Sequence, residues 1–300
     1  MRRTISSLLL TLIACGGTTP APVIQHRPAP TTKVFGGARP VTLQVPDAYD
    51  NDIPTPLLIL LHGYSASGDV QAAYLQYDKL VNEANMLLAA PNGTPDSGGK
   101  LFWNATDACC NFDHADVDDV AYIAKLITDI SAQYNVDAKR VYLSGHSNGG
   151  FMSYRFACEH PELIAGIAVI AGATWYEATK CTPSTAVSIL HIHGDADGTI
   201  LYKEPGERAN NLPALYPGAH GSLQRWAANN HCTGALTDSG TKLDLDVGTA
   251  GAESIAATYA GCPTGIGMEL WTIPGGSHVP GFTDEFHTDV WTWLMKHPKP

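Results

Sequence analysis

The run Pro56-Leu57-Leu58-Ile59-Leu60-Leu61 has no polar side to offer water. A half-exposed strand alternates apolar and polar residues, so an unbroken apolar run closed by His62-Gly63 reads as a strand covered on both faces. Such strands belong to parallel sheets with helices on either side. The rest of the chain repeats that plan. Further strands are expected at Thr42 to Val45 (an early edge strand), Met86 to Ala90, Arg140 to Ser144, Ile164 to Ile170, Val187 to Ile192 and Met268 to Ile273. Between them the spacing predicts helices over Val70 to Ala84, Val117 to Tyr134, the stretch from Ser147 through Glu159, Gly221 to Asn230 and Thr283 to Lys296. In the second of these, Val120, Ile123, Ala124, Ile127 and Ile130 share one face. The expected architecture is α/β, a mostly parallel twisted sheet covered on both faces. At 300 residues, 44% of them hydrophobic, the chain can fill one large core.

One hexapeptide in this pattern carries chemistry. Gly145-His146-Ser147-Asn148-Gly149-Gly150 matches G-x-S-x-G and sits directly after a predicted strand and before a predicted helix. A strand-to-helix elbow forces its serine into unusual dihedrals, and the flanking glycines remove the Cβ atoms that would clash there. A serine hydroxyl attacks carbonyls only when a base takes its proton, so a histidine and a carboxylate should follow. Val187 to Ile192 runs into His193-Gly194-Asp195-Ala196-Asp197, where both aspartates qualify as the acid. The last predicted strand runs into Pro274-Gly275-Gly276-Ser277-His278, which makes His278 the expected base. His287 lies inside the last helix pattern, and His220 and His231 follow no strand. Two backbone N–H donors must face the charge that develops on the carbonyl oxygen. Asn148 supplies one by its position after the serine, and Tyr64, closing the turn His62-Gly63-Tyr64, is expected to supply the other.

The formal net charge of −11 gives no electrostatic footing for nucleic-acid or anionic-lipid partners. Arg2 and Arg3 precede an apolar run from Ile5 to Ala14 that is too short to remain as a membrane span, so residues 1–14 read as an export signal. Leu12-Ile13-Ala14-Cys15 resembles a bacterial lipobox, in which Cys15 would carry lipid; an ordinary secretory signal is the alternative. Residues 15–32, rich in Gly, Thr and Pro, read as a flexible tether, and residues 33–300 as a single catalytic domain. Contact with a membrane is expected only through the N-terminal lipid. Six further cysteines in an exported chain favour disulfides, with 15 possible pairings. Cys232 with Cys262 is expected, both lying in the late segment between the expected acid and base, and Cys109 and Cys110 are expected to reach Cys158 and Cys181 in some order.

From about Lys33 onward the chain resembles the α/β-hydrolase esterases that include extracellular polyhydroxybutyrate depolymerases and bacterial feruloyl and acetylxylan esterases. The resemblance rests on His62-Gly63-Tyr64, Trp103-Asn104 before Cys109-Cys110, Val117-Asp118-Asp119-Val120, the Ser147 hexapeptide, His193 with Asp197, Cys262, and Gly275-Gly276-Ser277-His278. It implies the α/β-hydrolase fold, with Ser147 as nucleophile, Asp197 rather than Asp195 as acid, and His278 as base. Asp195 is then left to brace its turn. It departs from its relatives at Thr199-Ile200-Leu201, where they often have Val-Pro, and at Val279-Pro280, where they have Trp-Pro. Those departures bear on substrate subsites. The expected activity is a cofactor-free hydrolysis of polymeric or short-chain carboxylic esters of the polyhydroxyalkanoate type by a secreted, lipid-anchored monomer. Feruloyl or acetylxylan ester hydrolysis is the alternative. Trp103, Trp175 and Tyr176 are candidate substrate platforms or packing residues, and Asp118 and Asp119 open a helix whose end they would stabilise. No long lid segment separates Ile170 from the acid loop, so an open site is expected. Two remote readings differ in class. His191-Ile192-His193-Gly194-Asp195 resembles part of a zinc-hydrolase motif, and a surface protein that binds without catalysis would have no need of a complete triad.

Overall fold

The computed structural model describes residues 29–203 and 215–300. The signal-like residues 1–14, Cys15 and the tether up to residue 28 lie outside them. Contacts with the folded body begin slightly earlier than Lys33. The Tyr134 hydroxyl donates to the carbonyls of Pro30 (3.3 Å) and Thr32 (2.9 Å), and Ala29 packs against the core.

Eight strands form the central sheet: β1 (Thr55–Leu61), β2 (Leu87–Ala89), β3 (Val136–His146), β4 (Gly166–Ile170), β5 (Ser188–Gly194), β6 (Leu236–Leu243), β7 (Ser254–Tyr259) and β8 (Met268–Ile273). Their spatial order is β6-β7-β8-β5-β4-β3-β1-β2. From β8 to β2 every neighbouring pair is parallel, while β6-β7 and β7-β8 are antiparallel. This is the α/β-hydrolase fold.

Strand β1 shows why its sequence has no alternation. Leu57, Ile59 and Leu61 point into one core layer with Ile123, Phe151 and Trp226, and Leu58 and Leu60 into the other with Leu80, Phe286 and Val290. All five of these β1 side chains are fully buried. Helices α3 (Asp119–Gln133), α4 (Asn148–Glu159) and α5 (Gly218–Asn229) cover the first face. The other face is covered by α1 (Gly68–Tyr74), α2 (Tyr77–Glu83) and α6 (Phe286–Met295).

Three expectations change. The single helix over Val70 to Ala84 is two, because Gln76 adopts a left-handed conformation (φ 57°) and turns the chain between α1 and α2. The side chain of Gln76 donates to the Thr283 carbonyl at 3.4 Å, tying the break to the segment before α6. The early strand is also shorter. Val41–Thr42 pairs with Val34–Phe35 in a separate two-stranded ladder, and Gln44 meets the main sheet only through a bridge to Leu88. Finally, β6 and β7 were not expected from the sequence. Leu-Thr-Asp-Ser-Gly-Thr-Lys-Leu carries no apolar alternation, because this strand lies in the open at the sheet edge with nearly every side chain in solvent.

The disulfides also depart in part from expectation. Cys232 pairs with Cys262, joining the end of α5 to the end of β7. Cys109 and Cys110, however, pair with each other, and Cys158 pairs with Cys181. The reason is placement. Cys158 on the last turn of α4 lies 5.4 Å (Cα to Cα) from Cys181, a separation a disulfide spans, which leaves Cys109 and Cys110 no other partner among the described residues. Non-reducing peptide mapping is expected to recover Cys158 with Cys181 and Cys232 with Cys262. A peptide joining Cys109 or Cys110 to either Cys158 or Cys181 would contradict this pairing.

Candidate active site

The C-terminal ends of β3, β5 and β8 deliver three polar groups to one place. Ser147 stands between β3 and α4 with φ 55° and ψ −120°, a region that side-chain-bearing residues seldom adopt. Its N–H donates to the Ile170 carbonyl at 2.8 Å, which fixes the elbow to the end of β4. The turn closes only without side chains on its flanks. A Cβ at Gly145 would lie 2.2 Å from the Gly149 carbonyl oxygen, and one at Gly149 would lie 2.1 Å from that of Leu61. The spacing of the G-x-S-x-G motif is therefore imposed by backbone meeting backbone.

His278, in the loop after β8, brings Nε2 to 3.0 Å from Ser147 Oγ. Its Nδ1 lies 2.7 Å from Asp197 Oδ2, and the carboxylate accepts this N–H. Asp197 is buried, and its other oxygen, Oδ1, accepts the backbone N–H groups of Thr199 (2.7 Å) and Ile200 (2.9 Å). Burial alone would raise the pKa of this carboxyl. The hydrogen bonds from His193 and His278 and the backbone donor outweigh that effect and hold it well below the usual carboxylate range. Asp195 faces away and accepts the Gly275 N–H at 2.6 Å, so the acid loop and the loop of His278 are bonded to each other.

The loop His62-Gly63-Tyr64 lies against the elbow, with Gly63 so close that an added Cβ would come 3.4 Å from Ser147 Cβ. The Gly93 N–H donates to His62 Nε2 (2.9 Å), which leaves the His62 proton on Nδ1, where it is donated to the Gly63 carbonyl (2.8 Å). The Gly63 N–H in turn donates to the Gln71 side-chain oxygen at 3.1 Å, fastening the loop to α1. Asn148 occupies the first position of α4, whose opening N–H groups have no partners within the helix. Asn148 thus follows the serine directly, and Tyr64 lines the same cavity as Ser147.

Of the three aromatic candidates, Trp103 is not a substrate platform, because it is fully buried. It is a brace. Its backbone N–H donates to Asn148 Oδ1 (2.7 Å), its carbonyl accepts from Asn148 Nδ2 (3.0 Å), and its indole N–H donates to the His62 carbonyl (3.1 Å). It thus ties together the two segments that carry Tyr64 and Asn148. Trp175 is half-buried and lines a separate hollow of about 380 Å³ with Cys181 and Arg225, and Tyr176 lies beside Arg225. Neither lines the cavity at Ser147.

That cavity, about 330 Å³, is bounded by Tyr64, Ala66, Val70, Gln71, Tyr74 and Val279 together with Ser147, His146 and His278. Its walls are mainly apolar. Tyr74 spans it, donating its hydroxyl to the Pro280 carbonyl at 2.9 Å. Tyr64 is held by Asp96, which accepts its hydroxyl at 2.5 Å, and by edge-to-face contact with Phe112.

Sequence reasoning missed the support beneath Trp103. Arg39 pairs with the buried Asp119 (2.5 Å), whose second oxygen accepts the Asn104 N–H at 2.7 Å. The Arg39 guanidinium also lies over the rings of Tyr122 (3.8 Å) and Trp103 (5.8 Å). The neighbouring Asp118 caps α3 by accepting the Ala121 N–H. The motif Asp118-Asp119 gave the cap and not the partner, since nothing local marks Arg39, 80 residues away. The rings of His191 and His193 are occupied with each other and with Tyr154, and Asp195 points elsewhere. These contacts do not present the open ligand set of a zinc motif.

Residues 49–217 match the family of phospholipases and carboxylesterases, and the chain belongs to that family. Among curated relatives, feruloyl esterase B of Piromyces equi is 27% identical over 247 residues, covering 81% of this chain and 43% of its own length. The poly(3-hydroxyalkanoate) depolymerase C of Paucimonas lemoignei is 29% identical over 160 residues, covering 49% of this chain and 35% of its own. The chain thus spans less than half of these relatives. Among solved structures, the acetyl xylan esterase of Aspergillus awamori shares the fold with a TM-score of 0.59 and 15% identity, over 86% of this chain and 94% of that one.

Two tests address the built parts of the site. Arg39→Ala strands a buried carboxylate and is expected to cost about 3–5 kcal/mol, read as a lowered urea midpoint. An unchanged midpoint would remove Arg39 from the support. The second test concerns acid. Burial first, then the nearby His278, lowers the pKa of His146 to about 4, and burial also lowers His191 and His62. A histidine depressed in the fold binds its proton sooner when unfolded, so stability is full above about pH 6.5 and falls as pH drops from there toward 4. Melting temperatures that stay level across that window would contradict the depressed values.

Proposed function

We propose that the chain is a serine carboxylic-ester hydrolase in which Ser147 attacks the ester carbonyl, His278 is the general base and Asp197 orients it. The observation that carries this reading is the pair of distances from Ser147 Oγ to His278 Nε2 (3.0 Å) and from His278 Nδ1 to Asp197 Oδ2 (2.7 Å), at the mouth of an apolar cavity. His278 takes the serine proton as the tetrahedral intermediate forms, and the ionised Asp197 stabilises the resulting imidazolium. The Tyr64 and Asn148 N–H groups receive the oxyanion. The alcohol departs with the proton from His278, and water then releases the acid from the acyl-enzyme by the same path.

For the substrate we favour short-chain and polymeric esters of the polyhydroxyalkanoate type. The cavity beside Ser147 suits a small apolar acyl group, and it is open to solvent past the exposed Val279. Feruloyl or acetylxylan esters form the second reading. It draws on the aligned share of feruloyl esterase B and on the aromatic walls of Tyr64 and Tyr74, which would accept a phenolic ring. Three disulfides favour an oxidising compartment outside the cytoplasm. Export, lipidation at Cys15, one catalytic domain and a monomeric state complete the proposal.

Ser147→Ala is expected to abolish hydrolysis of p-nitrophenyl butyrate while leaving the melting temperature within about 2 °C of the parent. Turnover near the parent level would sink the triad. A panel of polyhydroxybutyrate film, methyl ferulate and acetylxylan separates the substrate readings, with the largest kcat/KM expected on the polyester and its oligomers. A preference for methyl ferulate would transfer the assignment to the second reading.

A further inference from the structure

Behind Asp197, on the side away from Ser147, runs a row of buried polar rings that the hydrolytic reaction does not touch. His193 and His191 lie on β5, Tyr154 on α4, and each is at most 1% exposed. His193 Nε2 is 2.8 Å from the Ile200 carbonyl oxygen and 3.2 Å from Asp197 Oδ2. Both neighbours only accept hydrogen bonds, so this nitrogen carries a proton. In the neutral ring, His193 Nδ1 is then an acceptor, and the nitrogen facing it at 3.1 Å, His191 Nε2, must be the donor. That leaves His191 Nδ1 to accept, and it does so from the Tyr154 hydroxyl at 2.8 Å.

Every proton in the row therefore points the same way. The two imidazoles lie nearly parallel, 9° apart, and Tyr154 is itself stacked on Trp226. Burial keeps His191 in its neutral form.

We propose that Tyr154, His191 and His193 form a directional hydrogen-bond chain that positions Asp197. The inference rests on the proposed triad. His193 acts at two points: its N–H faces Asp197 Oδ2, and it holds the Ile200 carbonyl, whose own N–H binds Asp197 Oδ1 at 2.9 Å. With the opposite tautomer, a nitrogen lone pair would confront both the Ile200 carbonyl and the carboxylate. Tyr154 and His191 oppose that tautomer, since in the present direction His191 supplies a donor to His193 Nδ1. These are positioning residues, and none of the three touches the reacting atoms.

The test compares His191→Phe, which removes donor and acceptor together, with His191→Gln, whose amide supplies one of each. Hydrolysis of p-nitrophenyl butyrate by His191→Phe is expected to lose about tenfold in kcat, with KM within about twofold. His191→Gln is expected to recover to within about threefold of the parent. In His191→Phe the low-field proton resonance of His278 Nδ1 should also broaden or move, as a purely structural role would not require. Equal kcat in the parent and His191→Phe, or equal loss in folded Phe and Gln variants, overturns the proposal. If His191→Phe does not fold, Tyr154→Phe decides, since it deletes only a hydroxyl. It should lower kcat about threefold at unchanged KM, and parental kcat overturns the chain. An inactive parent, or an active Ser147→Ala, would defeat the hydrolase reading instead.

Discussion

The structure turns on one strained residue. Ser147 at φ 55° and ψ −120° occupies a backbone state that costs on the order of 1–3 kcal/mol, and it persists only because its surroundings leave no alternative. The end of β3 is pinned between β1 and β4, and α4 starts at once. The Gly145 and Gly149 backbones approach neighbouring carbonyls more closely than any side chain would permit. Each of the other groups is placed relative to that elbow. Gly63 lies against it, His278 reaches it from β8, and Asn148 follows it as the first residue of the helix it launches.

The supports of the site differ in reach along the chain. Asp197 is held largely by its own loop, through the N–H groups of Thr199 and Ile200 and the histidine four residues before it. The segment bearing Tyr64 is held from far away. Trp103 bonds to both His62 and Asn148, and beneath it Asp119 and Arg39 secure Asn104. A short-range device fixes the carboxylate, and a long-range one fixes the loop of Tyr64 against the start of α4.

That difference decides what the sequence disclosed. The strands buried on both faces and the elbow were legible, because an unbroken apolar run and a G-x-S-x-G after a strand each have a local physical cause. Chain order and the turns after β5 and β8 brought out His278 and the Asp195/Asp197 pair, and the structure brings Ser147, Asp197 and His278 together. Partnerships across long separations were not legible. Nothing near Arg39 marks it as the counter-ion of Asp119, Trp103 carries no sign that it is a buried brace and not a platform, and cysteine count leaves the pairing of Cys109 and Cys110 open. Strand β6 was missed because only its end residues Leu236 and Leu243 touch the core, and the exposed stretch between them has no pattern to read.

This last strand closes the sheet on its open side. Among the described residues no strand pairs with the outer row of its backbone groups, and two of its N–H groups are taken by its own side chains, Gly240 by Asp238 Oδ1 (2.8 Å) and Thr241 by Ser239 Oγ (3.2 Å). The ladder with β7 slips between Asp238 and Thr241, Gly240 takes a left-handed turn, and charges from Asp238 and Lys242 border the row. A kinked and charged rim is a poor template for strand addition, which guards this edge against pairing with a second copy of the chain.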